Sequence, residues 1–388
     1  MKIFYICYEE ISGYNGATRH IAEISKNLQK LGHEVQLCAP LIKGPVMSYP
    51  VPVKSIPTLG IRFLRATSYA FLSLFYLPFF IIKFKPDILY VRSLPITPLP
   101  VLLSKIFRIP CILEVNGLVE NKNSRNKILN ILLSLFQKIE FRLCNRIIAV
   151  SHDLKSLLSK LYGIADKTDV VSIGVDPEDL SPIDKSTARR MVGLEPDGYY
   201  VGYVGGFFPW HGLESLIESA SIILNDFTNL SYVFVGDGQT RSSIYKQIQE
   251  RGLGDRFIFT GRVPFSEVCK YISAFDICVN FYNVTKERIM KNGTEYIGNP
   301  TKLYEYLACE RPVIISEVYN DVIGKLAGTL SVNSSDPKEV SDAIIKLISD
   351  KSLAEQMSKD GREEVIKNHS WLAMAKETEK VLRDVLNK

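Results

Sequence analysis

Short apolar runs alternate with longer amphipathic stretches along this chain, and that alternation predicts most of its elements. Residues 2–7 (KIFYIC) are a compact apolar run that reads as a strand. The stretch IAEISKNLQKLGHEV has apolar residues at 21, 24, 28 and 31, the spacing of one helix face. Gly32 closes that helix, and Val35–Ala39 is the next strand. Residues 40–60 are rich in Pro and Gly and read as an excursion loop. Tyr69–Ile82 is apolar apart from Ser73, contains Pro78, and falls short of the ~20 residues a membrane span needs. A buried or surface-lying helix is expected there. Strands follow at 87–91, 110–115, 147–150 and 169–173, with a Pro-interrupted helix in LPITPLPVLLSKIF. Between them, residues 125–146 place apolar residues at 128, 132, 135, 136 and 139 beside Arg125, Lys127, Lys138, Arg142 and Arg146. Ser151 is suited to cap the helix SHDLKSLL.

The second half repeats the rhythm. Strands are expected at 200–204, 230–235 and 276–281, with RFIFTGRV as a strand and loop, separated by LESLIESASIIL, TRSSIYKQIQERG and PFSEVCKYISAF as helices. Strands spaced by helices of 10–15 residues predict parallel sheets covered on both faces. The polar, Pro-containing stretch 181–198 reads as the junction between two domains, and a chain of 388 residues is long enough for two. SWLAMAKETEKVLRDVL is a terminal amphipathic helix.

Composition is ordinary for a globular protein, with 46% hydrophobic and 23% charged residues. Charge changes the picture. The net +5 divides into +10 for residues 1–190 and −5 for 191–388. The basic half is expected to face an anionic partner. Nucleic acid is not that partner: the basic residues are interleaved with long aliphatic runs and no nucleic-acid-binding motif is present. Seven cysteines, odd in number and without a CxxC pair, point to reduced thiols in a cytoplasm rather than to a disulfide framework or zinc site. The chain opens on a strand and not on a signal peptide.

The richest stretch for chemistry is 297–316, IGNPTKLYEYLACERPVIIS. Asn299 is a good N-cap, Pro300 suits the first helical position, and Arg311-Pro312 ends the helix before the strand VIIS. Leu303 and Leu307 mark its core face, while Lys302 and Glu305 emerge together on the other side. A lysine in the first turn of a helix makes an anion site, and a carboxylate one turn deeper can accept two ribose hydroxyls. Diphosphate and ribose together suggest a nucleotide-sugar.

NPTKLYEYLACERPVI resembles the donor helix of the GT-B-fold retaining glycosyltransferases of family 4. AVSHDLKSL, GGFFPWHG and the SW helix match the same family in order and spacing, so that the resemblance covers nearly the whole chain. It implies two Rossmann-like domains with parallel sheets facing across a cleft. Residues 1–180 would bind the acceptor, residues 190–370 the nucleotide-sugar, and the helix 371–388 would pack back on the first domain. Of the family's Glu-x7-Glu pattern, Glu305 matches the second Glu, the ribose ligand; Ile297 stands in place of the first, with Glu295 two residues away. The usual diphosphate-binding Arg and Lys are replaced by Gly206 and His211, which raises the weight on Lys302 and on backbone amides. Asn116 stands where relatives often place a His. Asn15 replaces one glycine of the first loop, which retains Gly13 and Gly16.

The implied catalytic set is thus Glu305, Lys302, His211 and Asn116. The implied donor contacts are Gly16, Gly205, Gly206, Gly236, Gly238, Arg262, Val263, Pro300, Thr301 and Leu303. Arg19, His20, Arg92 and Glu114 fall on the acceptor side. The expected activity is sugar transfer from a nucleotide-sugar to a glycan or lipid-linked acceptor in polysaccharide biosynthesis. It would proceed with retention, by front-face displacement, and with no cofactor. The sequence lacks an Asp-x-Asp metal motif. A GT-B-fold nucleotide-sugar epimerase, or a binding protein without transfer activity, fits the same residues. The basic first half, with Arg62, Arg65, Lys83 and Lys85 flanking the apolar run, suggests a peripheral contact with an anionic membrane at its cytoplasmic face.

Overall fold

The structure is a computed structural model. It describes the chain apart from residues 10, 12–15, 42–48, 61–63, 94–95, 119–126, 225, 284–299 and 388, and the side chains of Lys127 and Asp321. Gly13, Asn15, Arg62, Arg125, Glu295, Ile297 and Asn299 therefore lie outside the described residues.

Two units form, each around one parallel sheet. The first comprises Met1–Ile173 and Trp371–Lys388, the second residues between Gly174 and Ser370. In the first, the chain runs β1 (Lys2–Ile6), α1 (Gly16–Lys30), β2 (Glu34–Leu41), β3 (Val53–Pro57), α2 (Arg65–Phe84), β4 (Ile88–Arg92), α3 (Leu99–Ile106), β5 (Cys111–Val115), α4 (Lys127–Leu143), β6 (Arg146–Ala149), α5 (His152–Tyr162) and β7 (Thr168–Val170). The sheet order is β3-β2-β1-β4-β5-β6-β7. β1 lies between β2 and β4, with Tyr5 opposite both Leu37 and Tyr90. Ile3, Phe4, Tyr5 and Ile6 are all fully buried, as a central parallel strand covered on both faces requires. Ser151 caps α5 by accepting from Leu154 N, and Gly163 ends it in the left-handed conformation.

The second unit runs α6 (Lys185–Val192), β8 (Tyr199–Val204), α7 (Leu213–Ile223), β9 (Leu230–Val235), α8 (Arg241–Glu250), β10 (Phe257–Gly261), α9 (Phe265–Ala274), β11 (Ile277–Asn280), α10 (Thr301–Ala308), β12 (Val313–Ser316), α11 (Tyr319–Ile323), β13 (Thr329–Val332), α12 (Pro337–Ser349) and α13 (Lys351–Asn368). Its order is β10-β9-β8-β11-β12-β13. The terminal helix α14 (Trp371–Leu386) belongs to the first unit, where Met374, Val381 and Leu382 join Ile21, Ile24 and Leu28 of α1 in one core.

In both sheets the chain leaves the first strand to one side and later returns to its other side. The reversals fall between β1 and β4 and between β8 and β11. Right-handed crossovers then put the helices following the two neighbouring strands on opposite faces. A crevice opens at the carboxyl ends of those strands, where open α/β sheets bind ligands.

Several elements depart from the reading of the pattern. The loop expected over 40–60 contains β3, an edge strand of which only Ile56 is fully buried; one-sided cover leaves little hydrophobic signal. The expected junction 181–198 contains α6, and the first compact unit extends to Ile173. Asp184 caps α6 through Thr187 N, and buried Arg189 ties it to Asp276 at 2.6 Å. The apolar run at 69–82 extends to a helix of 20 residues. By length and composition it could cross a membrane, yet here it is the β3–β4 crossover, with Tyr69, Leu77 and Ile81 buried against its own unit. β13, α12 and α13 have no counterpart in the pattern reading.

Candidate active site

At the second sheet's reversal, Asn283 N, just beyond β11, donates to Trp210 O in the loop after β8, and α10 follows along the chain. Pro300 occupies the N-cap, without a side-chain cap, so that the helix begins at Thr301, one residue later than the sequence suggests. Leu303 and Leu307 are fully buried, as their spacing predicts, and so are Tyr304 and Tyr306. The Tyr306 hydroxyl accepts from Val204 N at 2.8 Å and donates to Val204 O at 3.0 Å. It thereby pins α10 to the carboxyl end of β8. Leu303 is correspondingly a core residue: its side chain packs inside and its N–H bonds Pro300 O. That removes it from the expected ligand contacts. Pro300 is buried and Thr301 half-buried at the helix start.

Lys302 reaches back to the β8 loop. Its Nζ lies 2.8 Å from the Tyr203 hydroxyl, 4.5 Å from the centre of that ring and 3.4 Å from His211 Nε2. The Gly206 carbonyl accepts from the Tyr203 hydroxyl at 2.7 Å and from His211 Nδ1 at 2.6 Å. Because a carbonyl only accepts, His211 Nδ1 carries a proton, and Nε2 is the ring atom turned toward Lys302. His211 Nε2 and the Lys302 ammonium thus face each other beside the Tyr203 hydroxyl. The lysine is half-buried overall, but its ammonium sits among aromatic groups. Burial pulls it down to about 7, against the opposing pull of Glu305. Tyr203 was not singled out from sequence, because nothing in YYVGYVGG distinguishes its hydroxyl from those of the neighbouring tyrosines.

The expected donor glycines are placed by packing of two loops against each other. Gly236 has φ +134°, and a Cβ there would stand 2.0 Å from Gly205 O; one at Gly238 would stand 2.4 Å from Phe207 O. Gly205 N donates to Val235 O and Gly236 N to Gly261 O, linking the ends of β8, β9 and β10. A side chain at Gly205 would meet the Lys302 ammonium, and one at Gly206 the Phe208 ring. Arg262 is exposed and Val263 half-buried just beyond β10.

In the first unit two residues expected on the acceptor side, His20 and Arg92, converge on a third, Glu114. Glu114, at the end of β5, has no exposed surface. Its Oε1 lies 2.5 Å from Arg92, 2.7 Å from Asn116 Nδ2 and 3.0 Å from His20 Nε2; its Oε2 accepts from Tyr90 at 2.6 Å and Tyr5 at 3.1 Å. Burial alone would raise its carboxyl, but His20 and Arg92 outweigh that and hold it well below the usual carboxylate range. With four hydrogen-bond donors and the His20 ring on its two oxygens, and no exposed surface, Glu114 organises the unit rather than facing a ligand. Asn116, expected beside the chemistry, is half-buried and donates to it. Arg92, 7% exposed, spans from Glu114 to Glu9 at 2.6 Å, across the first sheet's reversal. His20 packs edge-on against Trp371 of α14 at 5.6 Å. Arg19 is half-buried on α1, and Gly16 is exposed at its first position with open space where a Cβ would stand.

Known proteins bear on both units. Residues 14–179 match the family model Glycosyltransferase Family 4, and residues 184–364 match Glycosyl transferases group 1. The chain is 27% identical over 60% of its length to the capsular polysaccharide biosynthesis glycosyltransferase CapM of Staphylococcus aureus. It is 24% identical over 56% of its length to the 2-deoxystreptamine glucosyltransferase of Streptomyces kanamyceticus. It spans 60% and 53% of those two proteins, respectively. The crystal structure of HepE from Anabaena in complex with UDP has the same fold, with a TM-score of 0.76 and 16% identity over 99% of this chain and all of that one.

Proposed function

This chain belongs to the group 1 glycosyltransferases of GT-B fold, and from that premise we propose that it moves a sugar from a nucleotide-sugar to a glycan or lipid-linked acceptor with retention at the anomeric carbon. The observation that supports this most is the placement of Lys302. Its cation, the start of α10 and the β8 loop converge at a sheet reversal, the position that suits a diphosphate. The solved relative HepE binds UDP, which accords with such a ligand.

In this reading Lys302 lies against the diphosphate and Glu305 accepts the ribose hydroxyls. The bond from the anomeric carbon to the diphosphate oxygen breaks as the acceptor hydroxyl oxygen bonds to the same face. The acceptor proton passes to the departing diphosphate, and no covalent enzyme intermediate forms. The protein contributes positioning and charge stabilisation, assigned to Lys302 and the amides of α10 without a metal. Gly236, Gly238, Arg262 and Val263 would border the base. Glu9 and Arg92 stand at the corresponding reversal of the first unit.

A thermal-shift screen over nucleoside diphosphates and nucleotide-sugars tests the reading, since a ligand of the native state raises the transition. One nucleotide-sugar should stabilise the chain. Glu305→Ala should remove that effect while the protein stays folded, and acceptor should trigger release of the nucleoside diphosphate. Stabilisation without release in the presence of any glycan or lipid-linked acceptor would leave a binding protein.

A further inference from the structure

The first unit has a surface that the donor-site reading does not use and that does not depend on it. α2, α3 and α4 connect β3 to β4, β4 to β5 and β5 to β6, stepping in one direction across the sheet. Right-handed crossovers put all three on the same face, and they pack side by side, α2 on α3 and α3 on α4. Among the described residues, twenty-four large hydrophobic side chains are exposed, and twelve of them sit on these three helices.

Their arrangement is regular. On α2, positions 71, 75, 79 and 82 form one outward stripe, opposite the buried Tyr69, Leu77 and Ile81. Phe75 is 63% exposed and Phe79 58%; Ile106 of α3 is 71% exposed and Ile131 of α4 69%. Isolated exposed apolar residues are common, but a patch continuous over three helices marks an interaction site.

Charge selects the partner. The only carboxylate on α2, α3 and α4 is Glu140, which is fully buried and accepts from Ser93. Exposed cations border the patch instead: Lys83 and Lys85 at the end of α2, Lys105 and Arg108 at the end of α3, and Lys138 and Arg142 continuing the stripe of α4. An apolar face whose three helices carry exposed cations and no exposed carboxylate is the complement of an anionic lipid surface. α2 cannot leave the fold to span a bilayer, because its other face covers the sheet and its Tyr69 hydroxyl bonds Cys7 O.

We propose that the α2–α3–α4 face docks the chain on an anionic membrane, with Phe71, Phe75, Phe79, Ile106 and Ile131 entering the interface and the lysines and arginines at headgroup level. Docking holds the first unit at the cytoplasmic leaflet, where a lipid-anchored acceptor would be presented.

Co-sedimentation of the full chain with phosphatidylcholine vesicles, with and without phosphatidylglycerol, tests this. Recovery should require phosphatidylglycerol and fall as salt is added. The pair Phe75→Ser, Phe79→Ser and the pair Lys138→Glu, Arg142→Glu should each reduce partitioning about tenfold or more. Both pairs should keep the wild-type melting transition and its shift with nucleotide-sugar, which separates lost docking from misfolding and from a failed donor site. Equal recovery with neutral and anionic vesicles, or none with either, overturns the proposal. So does a concentration-dependent dimer in vesicle-free solution that Phe75→Ser, Phe79→Ser abolishes, because a second copy would then be the occupant.

Discussion

Lys302 Nζ sits 2.8 Å from the Tyr203 hydroxyl although the two residues are 99 positions apart, and this contact joins α10 to the end of β8. The hydroxyl also donates to Gly206 O and lies 2.7 Å from His211 Nδ1. Tyr203 is thereby a positioning residue for both groups. Lys302→Met should reduce kcat/KM by about 10–100-fold, the range for losing a hydrogen bond to a charged group. Tyr203→Phe keeps the ring under the ammonium and should cost less, mostly in kcat. Full transfer activity in Lys302→Met would dismiss the diphosphate assignment.

The depressed Lys302 ammonium gives a signed pH dependence. Burial brings it to about 7, so that above that pH the unliganded lysine is mostly neutral. A diphosphate needs the cation, so donor affinity should fall as pH rises through that value, and binding at about pH 8 should take up close to one proton. A nucleotide-sugar is the right probe because its diphosphate does not titrate near neutrality. Calorimetry in buffers of different ionisation enthalpy measures the uptake, which Lys302→Met should abolish. Stability has its own sign. The folded value lies below the unfolded one, so between them the unfolded chain binds the extra proton. Wild type should gain stability relative to Lys302→Met as pH rises through that window. Proton release on binding would contradict the assignment.

Glu114 should matter for folding before it matters for chemistry. Glu114→Ala takes the buried partner from His20 and from Arg92, which keeps Glu9, a change worth up to ~3–5 kcal/mol when one partner of a buried pair is lost. Glu114→Gln keeps part of the hydrogen bonding and should cost less. Trp371 lies in this unit and Trp210 in the other, so urea unfolding followed in a Trp210→Phe background reports the first unit alone. A cost below about 1 kcal/mol for both substitutions would show that the network is not a structural anchor.

Two glycines expected at the donor should behave in opposite ways. Gly236→Ala combines φ +134° with a Cβ placed 2.0 Å from Gly205 O. It should destabilise the second unit by about 1–3 kcal/mol or more and disturb the loop beside Lys302. Gly16→Ala meets open space at the start of α1 and should leave stability within about 1 kcal/mol. Loss of donor affinity in a fully stable Gly16→Ala protein would place the donor beside that position. An undiminished melting temperature for Gly236→Ala would refute the close-approach argument.

By itself the sequence determined the alternation of strands and helices, and with it two parallel sheets, because a doubly covered strand and an amphipathic helix write their burial into periods of two and 3.6. It also determined which face of α10 is core, since Leu303 and Leu307 lie one turn apart. It exposed the basic, apolar character of residues 65–142. It did not reveal β3, whose single buried residue leaves almost no pattern, or α6, whose few buried groups are held mainly by polar contacts to Asp276 and neighbouring carbonyls. Tertiary structure alone decided the partners of the charged groups. Lys302 meets Tyr203 and His211, and Arg92 meets Glu9 and Glu114, because sheet order brings the ends of β8 and β11, and of β1, β4 and β5, side by side. Local propensity shapes each strand and helix, but which polar side chains face one another depends on strand order, and strand order is set by long-range packing.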